Sequence, residues 1–312
     1  MTDGQLLSLG IDIGGTKAHG LVLDAADRVV ADLVLATAPT QEGVRATVLE
    51  LAGELSAAVG GTPESFTSVG LGIPGLVDHT RGIVQTAVNL GIAHCDLAGL
   101  LVDDFPVPVR IENDLKATAL GAGLVLGDSA RDLAYLNLGT GLSAAAVSDG
   151  RLVRGLRNGA GEFGHLAIDP AGEPCGCGQR GCLETTLGGQ YLAPRLAARG
   201  LALAELDTDP RPVAVAERAR LVAAPATALT LVVVAYDSTA IALGGGVVSA
   251  APWLRTAVVA ELRRRAAASA FLTRLAIQDR LVTLPTGSPV AALGAALVGR
   301  SLADVPVSSL EG

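Results

Sequence analysis

Lysine is almost absent from this 312-residue chain: Lys17 and Lys116 are the only two, and arginine supplies the rest of the 23 basic residues. Acidic residues number 31, the net charge is −8, and no basic run is longer than Arg263 to Arg265. That balance argues against nonspecific nucleic-acid binding. Four cysteines are too few for a disulfide scaffold. A long apolar run is also missing. The most apolar stretch, Leu221 to Ala235, contains Pro225 and is followed by Asp237, so it falls short of the ~20 residues a spanning helix needs. The opening residues MTDGQLLSLG lack a basic segment and a long apolar core, so no signal peptide is expected. What is present is 50% hydrophobic residues and 39 glycines. That apolar content excludes a disordered chain, and the length suggests two domains. The chain is expected to be soluble and cytoplasmic, with no membrane or nucleic-acid partner.

Apolar runs broken by glycine turns organise the first part. Residues 6–13 read as a strand, Gly14-Gly15-Thr16-Lys17 as a turn and 18–23 as a returning strand. A second turn at 24–28 completes a β-meander. Val44, Val48, Leu51 and Leu55 recur at three- and four-residue spacing, which predicts a helix over 42–59. Strands are expected at 67–73, closed by Pro74-Gly75, and at 107–112, with a helix at 115–126. The pattern then restarts with a strand at 132–138, the turn Gly139-Thr140-Gly141, a strand at 142–148 and a hairpin signal at Asp149-Gly150. Residues 155–186 show little periodicity. Helical patterns fill 187–236, and a strand at 239–243 ends in Gly244-Gly245-Gly246. Helices near 252–268 and 288–299 flank a strand at 281–284. Strand, glycine turn, strand thus occurs twice, near 6–30 and 132–155. This implies two related α/β lobes with ligands in the cleft between them. The smaller would be 1–114 plus about 293–312, and the larger 115–292; one large α/β domain is the alternative.

The first turn, Asp12-Ile-Gly-Gly-Thr-Lys17, lets backbone N–H groups approach a phosphate, with a hydroxyl and a cation nearby and Asp12 available for Mg²⁺. A plain β-turn would look the same. Gly139-Thr140-Gly141 holds the equivalent position in the second unit, so the pair could grip a polyphosphate. Gly244-Gly245-Gly246 leaves a bare backbone surface for a flat base or ribose; a flexible bend is the simpler reading. Asp114, in Glu112-Asn113-Asp114, sits at the expected N-cap of the helix starting at Leu115, where Asp is favoured in any case. The helix N-terminus also favours an ionised carboxylate, which in a cleft can take a proton from a substrate hydroxyl.

His165, Cys175, Cys177 and Cys182 form a more specific set. Three soft thiolates and one imidazole suit tetrahedral structural Zn²⁺, and Gly176, Gly178 and Gly181 let the chain wrap a small ion. Free cysteines or a redox pair are the alternatives, and Cys95 lies apart. Glu162 and Glu184 flank the knot, which would hold both carboxylates rigidly for a polyhydroxylated ligand; solvated surface carboxylates are the alternative.

Taken together these residues resemble the ROK family of sugar kinases, most of all its bacterial glucokinases. The resemblance rests on Asp12 to Lys17, Gly72-Ile-Pro-Gly75, Glu112-Asn-Asp114, Gly161-Glu-Phe-Gly-His165, the run Cys175 to Glu184 and Leu243-Gly-Gly-Gly246. It runs through most of the chain and is most specific between Glu162 and Glu184. It implies an α/β, two-lobed, actin-like ATPase (ribonuclease H-like) fold with a central ligand cleft. ATP and Mg²⁺ would bind there, and a phosphoryl group would pass to a sugar hydroxyl, usually at C6. By motif, Asp114 would be the general base. Asn89, Asn113, Asp114, Glu162, His165, Glu184 and the backbone of Gly75 would surround the sugar. Asp12, Gly14, Gly15, Thr16, Lys17, Gly139, Thr140, Gly141, Gly244, Gly245 and Gly246 would hold the nucleotide. His165, with structural Zn²⁺ on one ring nitrogen, would face the sugar with the other. Homodimers or homotetramers are common in the family. Glucose is the leading substrate; N-acetylhexosamine, fructose or another polyol, or a noncatalytic sugar-binding regulator, are the alternatives. Family repressors carry an N-terminal helix-turn-helix, for which a first strand at about residue 6 leaves no room. Two departures stand out. Lys116 replaces a small or amide residue, its charge either favouring an ionised Asp114 or pointing to solvent, and Gly141-Leu142-Ser143 replaces a glycine-richer turn.

Overall fold

The computed structural model describes residues 6–300. Two compact units divide the chain: residues up to 128, with 154–160 and those from 285 on, and residues 129–153 with 161–284.

The first unit opens with the meander β1 (Leu7–Ile13), β2 (Lys17–Leu23) and β3 (Val29–Ala36), followed by α1 (Gln41–Ala58) and β4 (Phe66–Ile73). A separate small antiparallel sheet, β5 (Leu76–Asp78), β6 (Ile83–Thr86) and β7 (Cys95–Asp96), comes next. Then come α2 (Leu97–Leu100), β8 (Val109–Asn113) and α3 (Asp114–Leu126). The main sheet has the order β3-β2-β1-β4-β8, with β4 parallel to β1 and β8 parallel to β4.

The second unit carries β9 (Leu133–Leu138), β10 (Leu142–Ser148) and β11 (Arg151–Leu152), then α4 (Glu184–Leu187), α5 (Gly189–Ala197) and α6 (Pro212–Tyr236). It continues through β12 (Ala240–Gly244), α7 (Gly246–Ala250), α8 (Pro252–Ala267), α9 (Ala270–Leu275) and β13 (Leu281–Val282). Its sheet order, β11-β10-β9-β12-β13, repeats that of the first unit, including the antiparallel meander and the two parallel additions. The duplication read from the two glycine turns is therefore a duplication of sheet topology. The chain then returns to the first unit as α10 (Val290–Arg300).

The central strand β1 is buried on both faces, which is why it reads as an almost unbroken apolar run, whereas edge strand β3 is largely exposed. Leu51 and Leu55 of α1 meet the face carrying Gly20. On the other face α10 lies against the strands: a Cβ at Gly10 would come within 2.3 Å of the Ala292 carbonyl oxygen, and one at Gly70 within 1.9 Å of that of Ala295. Gly121 and Gly294 give the same close approach between α3 and α10. Here the division differs from the expected boundary at 114. With Gly121 seated against α10, α3 stays in the first unit and the division follows residue 128.

The described helix α6 runs unbroken through Pro225 for 25 residues, longer than the apolar stretch alone suggested. By length and composition it is long enough to cross a membrane. Leu221, Leu229, Val232 and Val233 belong to the core cluster of the second unit.

Candidate functional site

In the first unit the β1–β2 hairpin closes through the Gly14 N–H to the Lys17 carbonyl, 2.9 Å. Gly15, Thr16 and Lys17 are exposed. A Cβ on Gly15 would lie 3.1 Å from that of Asn89, so the β1–β2 turn and Asn89 are neighbours. Gly72 in β4 lies beside both Asp12 and Asp114. A Cβ there would lie 3.6 Å from Oδ1 of Asp12 and 3.5 Å from the Cα of Asp114.

Asn113, not Asp114, caps α3. Its Oδ1 accepts from the Leu115 and Lys116 N–H groups, at 3.1 and 3.2 Å. Its Nδ2 donates to the Gly75 carbonyl (3.1 Å) and to Oδ1 of Asp114 (3.0 Å). Asp114 is instead the first helical residue, its Oδ1 also accepting the Leu115 N–H at 2.8 Å. One residue's shift exchanges the roles: the amide ties down the helix start and the carboxylate is left beside Asp12. Gly75 adopts φ +100°, and a Cβ there would collide with the Thr86 carbonyl.

Burial, and then the charge of Asp114, push the Asp12 carboxyl up to about 7. A carboxyl raised in the folded state gives stability that is full below its ordinary value of 3.8 and lost as pH rises through about 7. The melting temperature of the wild type is therefore expected to fall more steeply from pH 5 to pH 8 than that of Asp12→Asn, by scanning calorimetry in metal-free buffer. Parallel profiles would contradict the raised value.

In the second unit the Gly139–Gly141 turn is closed by the Gly139 N–H to the Gly141 carbonyl, 3.1 Å. Buried Glu184 braces it. Its Oε2 accepts the Leu142 N–H at 3.0 Å, and its Oε1 accepts Nε2 of Gln190 at 3.0 Å. The Gly189 and Gln190 N–H groups donate to the carbonyls of Gly139 and Thr140. Gln190 escaped the sequence reading; its only signal was its place after two glycines. Gly244 and Gly245 are used for packing, because side chains there would strike Tyr135 and the Leu138 backbone. Gly246 alone of the three borders open space. With Thr140, Gln190, Leu192, Leu196 and Val247 it lines a largely apolar cavity of about 440 Å³.

His165 and the three cysteines meet, their ligand atoms all within 4.8 Å of one another. His165 Nδ1 lies 3.7 Å from Cys175 Sγ, and Cys177 Sγ lies 3.6 Å from Cys182 Sγ. A tetrahedron with metal–sulfur bonds of about 2.3 Å has edges of about 3.7 Å, so the donor set fits a four-coordinate ion. Gly178 (φ +91°) and Gly181 (φ +68°) turn the chain, whereas Gly176 keeps an ordinary φ. Hydrogen bonding from Gln179 lowers the Cys177 thiol to about 6. Exposed Glu162 immediately precedes the short turn Phe163–His165. Lys116 is not at the surface: it is 3% exposed, its Nζ donating to the Asn158 carbonyl at 2.9 Å.

The structure thus gathers Asp12, the first glycine turn, Asn89, Gly75, Asn113 and Asp114 in one unit. In the other unit it gathers the second turn, Glu184, the cavity and the cysteine knot.

A glucokinase from Halalkalibacterium halodurans is 32% identical over 198 residues, 62% of this chain and 59% of that protein. A xylose repressor from Caldicellulosiruptor bescii is 38% identical over 125 residues, 39% of this chain and 31% of that one. The matched part therefore spans less than two thirds of either relative. The crystal structure of a ROK family glucokinase from Streptomyces griseus, in complex with glucose and AMPPNP, is similar with a TM-score of 0.72 and 28% identity, covering 94% of this chain and 99% of that one. The repeated sheets are those of the two-domain actin-like ATPase fold. The ROK family pattern matches residues 8–300, and the chain belongs to the ROK family.

Proposed function

We propose that this chain is an ATP-dependent hexokinase that phosphorylates glucose at C6, acting in the cytoplasm as a homodimer or homotetramer. One observation carries the reading: Asp114 opens α3 with its Oδ1 held by the Asn113 amide and the Leu115 N–H, beside Asp12 and the exposed glycine turn. The helix N-terminus favours its ionised form. Asn89, Asn113, Glu162, His165, Glu184 and the Gly75 backbone bind the sugar. The two glycine turns take the phosphates, and the apolar cavity at Gly246 takes the nucleoside.

Asp12 is the carboxylate suited to Mg²⁺, which when bound screens charge on the β- and γ-phosphates. His165, Cys175, Cys177 and Cys182 hold Zn²⁺. Four protein ligands leave no open position, so its part is structural. With Nδ1 committed to the knot, His165 keeps Nε2 for a sugar hydroxyl. In the reaction the sugar oxygen bonds to the γ-phosphorus and the bond to the β–γ bridging oxygen breaks. ADP leaves with that electron pair, and the hydroxyl proton passes to Oδ2 of Asp114.

A coupled ADP-release assay over a sugar panel tests this. The highest kcat/KM is expected for glucose. A higher value for an N-acetylhexosamine, fructose or another polyol would replace the substrate and keep the reaction. The xylose repressor similarity supports a second reading, a noncatalytic sugar-binding regulator; sugar binding by calorimetry without turnover on any nucleotide would favour it.

The cavity assignment makes its own prediction. Gly246→Val adds a side chain into open space, so stability should hold while the KM for ATP rises about tenfold, equivalent to roughly 1.4 kcal/mol of lost binding. Gly245→Val should instead destabilise the fold, since φ is +99° and Leu138 backbone lies 2.4 Å from the new carbon. Steady-state kinetics and thermal melts of both variants check this. An unchanged ATP KM in Gly246→Val would remove the nucleoside from this cavity.

A further inference from the structure

The chain leaves the second unit after Val153, contributes residues 154–160 to the first, and returns at Gly161, one residue before Glu162. A buried polar network pins that excursion to the start of α3. Glu112 is fully buried in β8 and receives three donors. Its Oε1 accepts the Asn113 N–H at 2.8 Å and Asn158 Nδ2 at 3.1 Å; its Oε2 accepts Arg154 Nε at 2.6 Å. Asn158, itself 5% exposed, holds a left-handed φ of +57°. Its Nδ2 also donates to the Val77 carbonyl at 2.8 Å, and its own carbonyl accepts Lys116 Nζ.

The network reaches the reacting region in steps. Glu112 fixes the Asn113 backbone, and Asn113 fixes both Oδ1 of Asp114 and the Gly75 carbonyl. Asn158 fixes Val77, two residues past Gly75. A lysine buried in such a place is costly unless it is matched, and removing one member of a buried polar network exposes the whole cost of the others.

We propose that Lys116, with Glu112, Arg154 and Asn158, is a positioning set: it locks the 154–160 segment onto the β8–α3 junction and so sets the geometry of Asn113 and Asp114 for phosphoryl transfer. The set acts through other residues, Glu112 on the Asn113 N–H and Asn158 on the Val77 carbonyl. This rests on the kinase reading of the same site.

The test uses Lys116→Met, which keeps the aliphatic stem and removes the donors, and Glu112→Gln, which keeps the shape and an acceptor but removes the charge facing Arg154. Each is expected to lower kcat with the sugar about 10–100-fold while leaving the KM for ATP within about twofold. The double variant is expected to lose no more than about the worse single, since members of one network are not additive. A merely structural role would lower the melting temperature and leave kcat unchanged at temperatures where the variants are folded; that result, or additive kcat losses, overturns the proposal. Should Lys116→Met fail to fold, Arg154→Met and Glu112→Gln carry the same readouts. Absence of turnover in the wild type would overturn the kinase reading instead. Sugar affinity of the same variants, by calorimetry, would then decide the positioning role, unchanged affinity overturning it.

Discussion

Asp114→Asn is expected to cut sugar-dependent ADP release by about 10²–10⁴-fold, the usual worth of a positioned general base. That corresponds to roughly 3–5 kcal/mol of transition-state stabilisation. The substitution is nearly isosteric. An amide oxygen still accepts from Asn113 and Leu115, the two donors at 3.0 and 2.8 Å, so α3 should keep its start. What disappears is the group able to take a proton from the sugar hydroxyl. The loss should therefore fall on kcat, with the sugar KM changed by less than about fivefold, as for an interaction made in the transition state. Asp12 should also feel the change, because the charge of Asp114 helps raise its carboxyl. Removing that charge lowers the Asp12 value, and a shallower fall in stability from pH 5 to pH 8 is expected in Asp114→Asn. A variant keeping more than about a tenth of wild-type turnover would remove Asp114 from the role of base.

Cys182→Ala should have the other large effect. Cys182 is buried, its Sγ 3.6 Å from that of Cys177, and it lies two residues before Glu184. Losing one of four ligands opens the knot, and structural zinc sites contribute folding energy directly, with apparent binding of about 10–16 kcal/mol in small zinc peptides. Zinc is expected to fall from one equivalent per chain to well below, with a melting temperature lower by ten degrees or more, as for loss of a few kcal/mol in a domain of this size (about 2–4 °C per kcal/mol). His165 and Glu184 should lose their fixed orientation together, raising the sugar KM. Cys95→Ala is the control, since Cys95 stands outside the cluster. Metal analysis after purification without chelator reads the result. Equal zinc in the two variants, or none in the wild type, would contradict the knot.

Much of the architecture could be read from local signals. Apolar runs and the turns at 14–17 and 139–141 located both meanders, because strands as buried as β1 and β9 leave few polar interruptions. The knot was legible because three thiols and an imidazole at short spacing have few other uses. Other parts depend on contacts that spacing does not encode. Asn and Asp are both good N-caps, so only the structure assigns the cap to Asn113. Lys116 was expected either to act electrostatically or to face solvent, yet it is buried against Asn158, 42 residues away. The second roles of Gly244 and Gly245 come from Tyr135 and Leu138 on the neighbouring strand. The small sheet of β5, β6 and β7 escaped notice because its strands are two to four residues long, too short for alternation to show. Pro225 counted against a long apolar span, but α6 continues through it with Leu221 and Leu229 both in the core.

Phosphorus-31 NMR of the purified protein with ATP, Mg²⁺ and glucose tests the proposed activity most directly. The expected result is loss of the ATP γ-phosphate signal with an equal gain of a sugar phosphomonoester and ADP, abolished to within the stated factor in Asp114→Asn. Glucose that binds by calorimetry while no phosphomonoester forms with any nucleotide would contradict it.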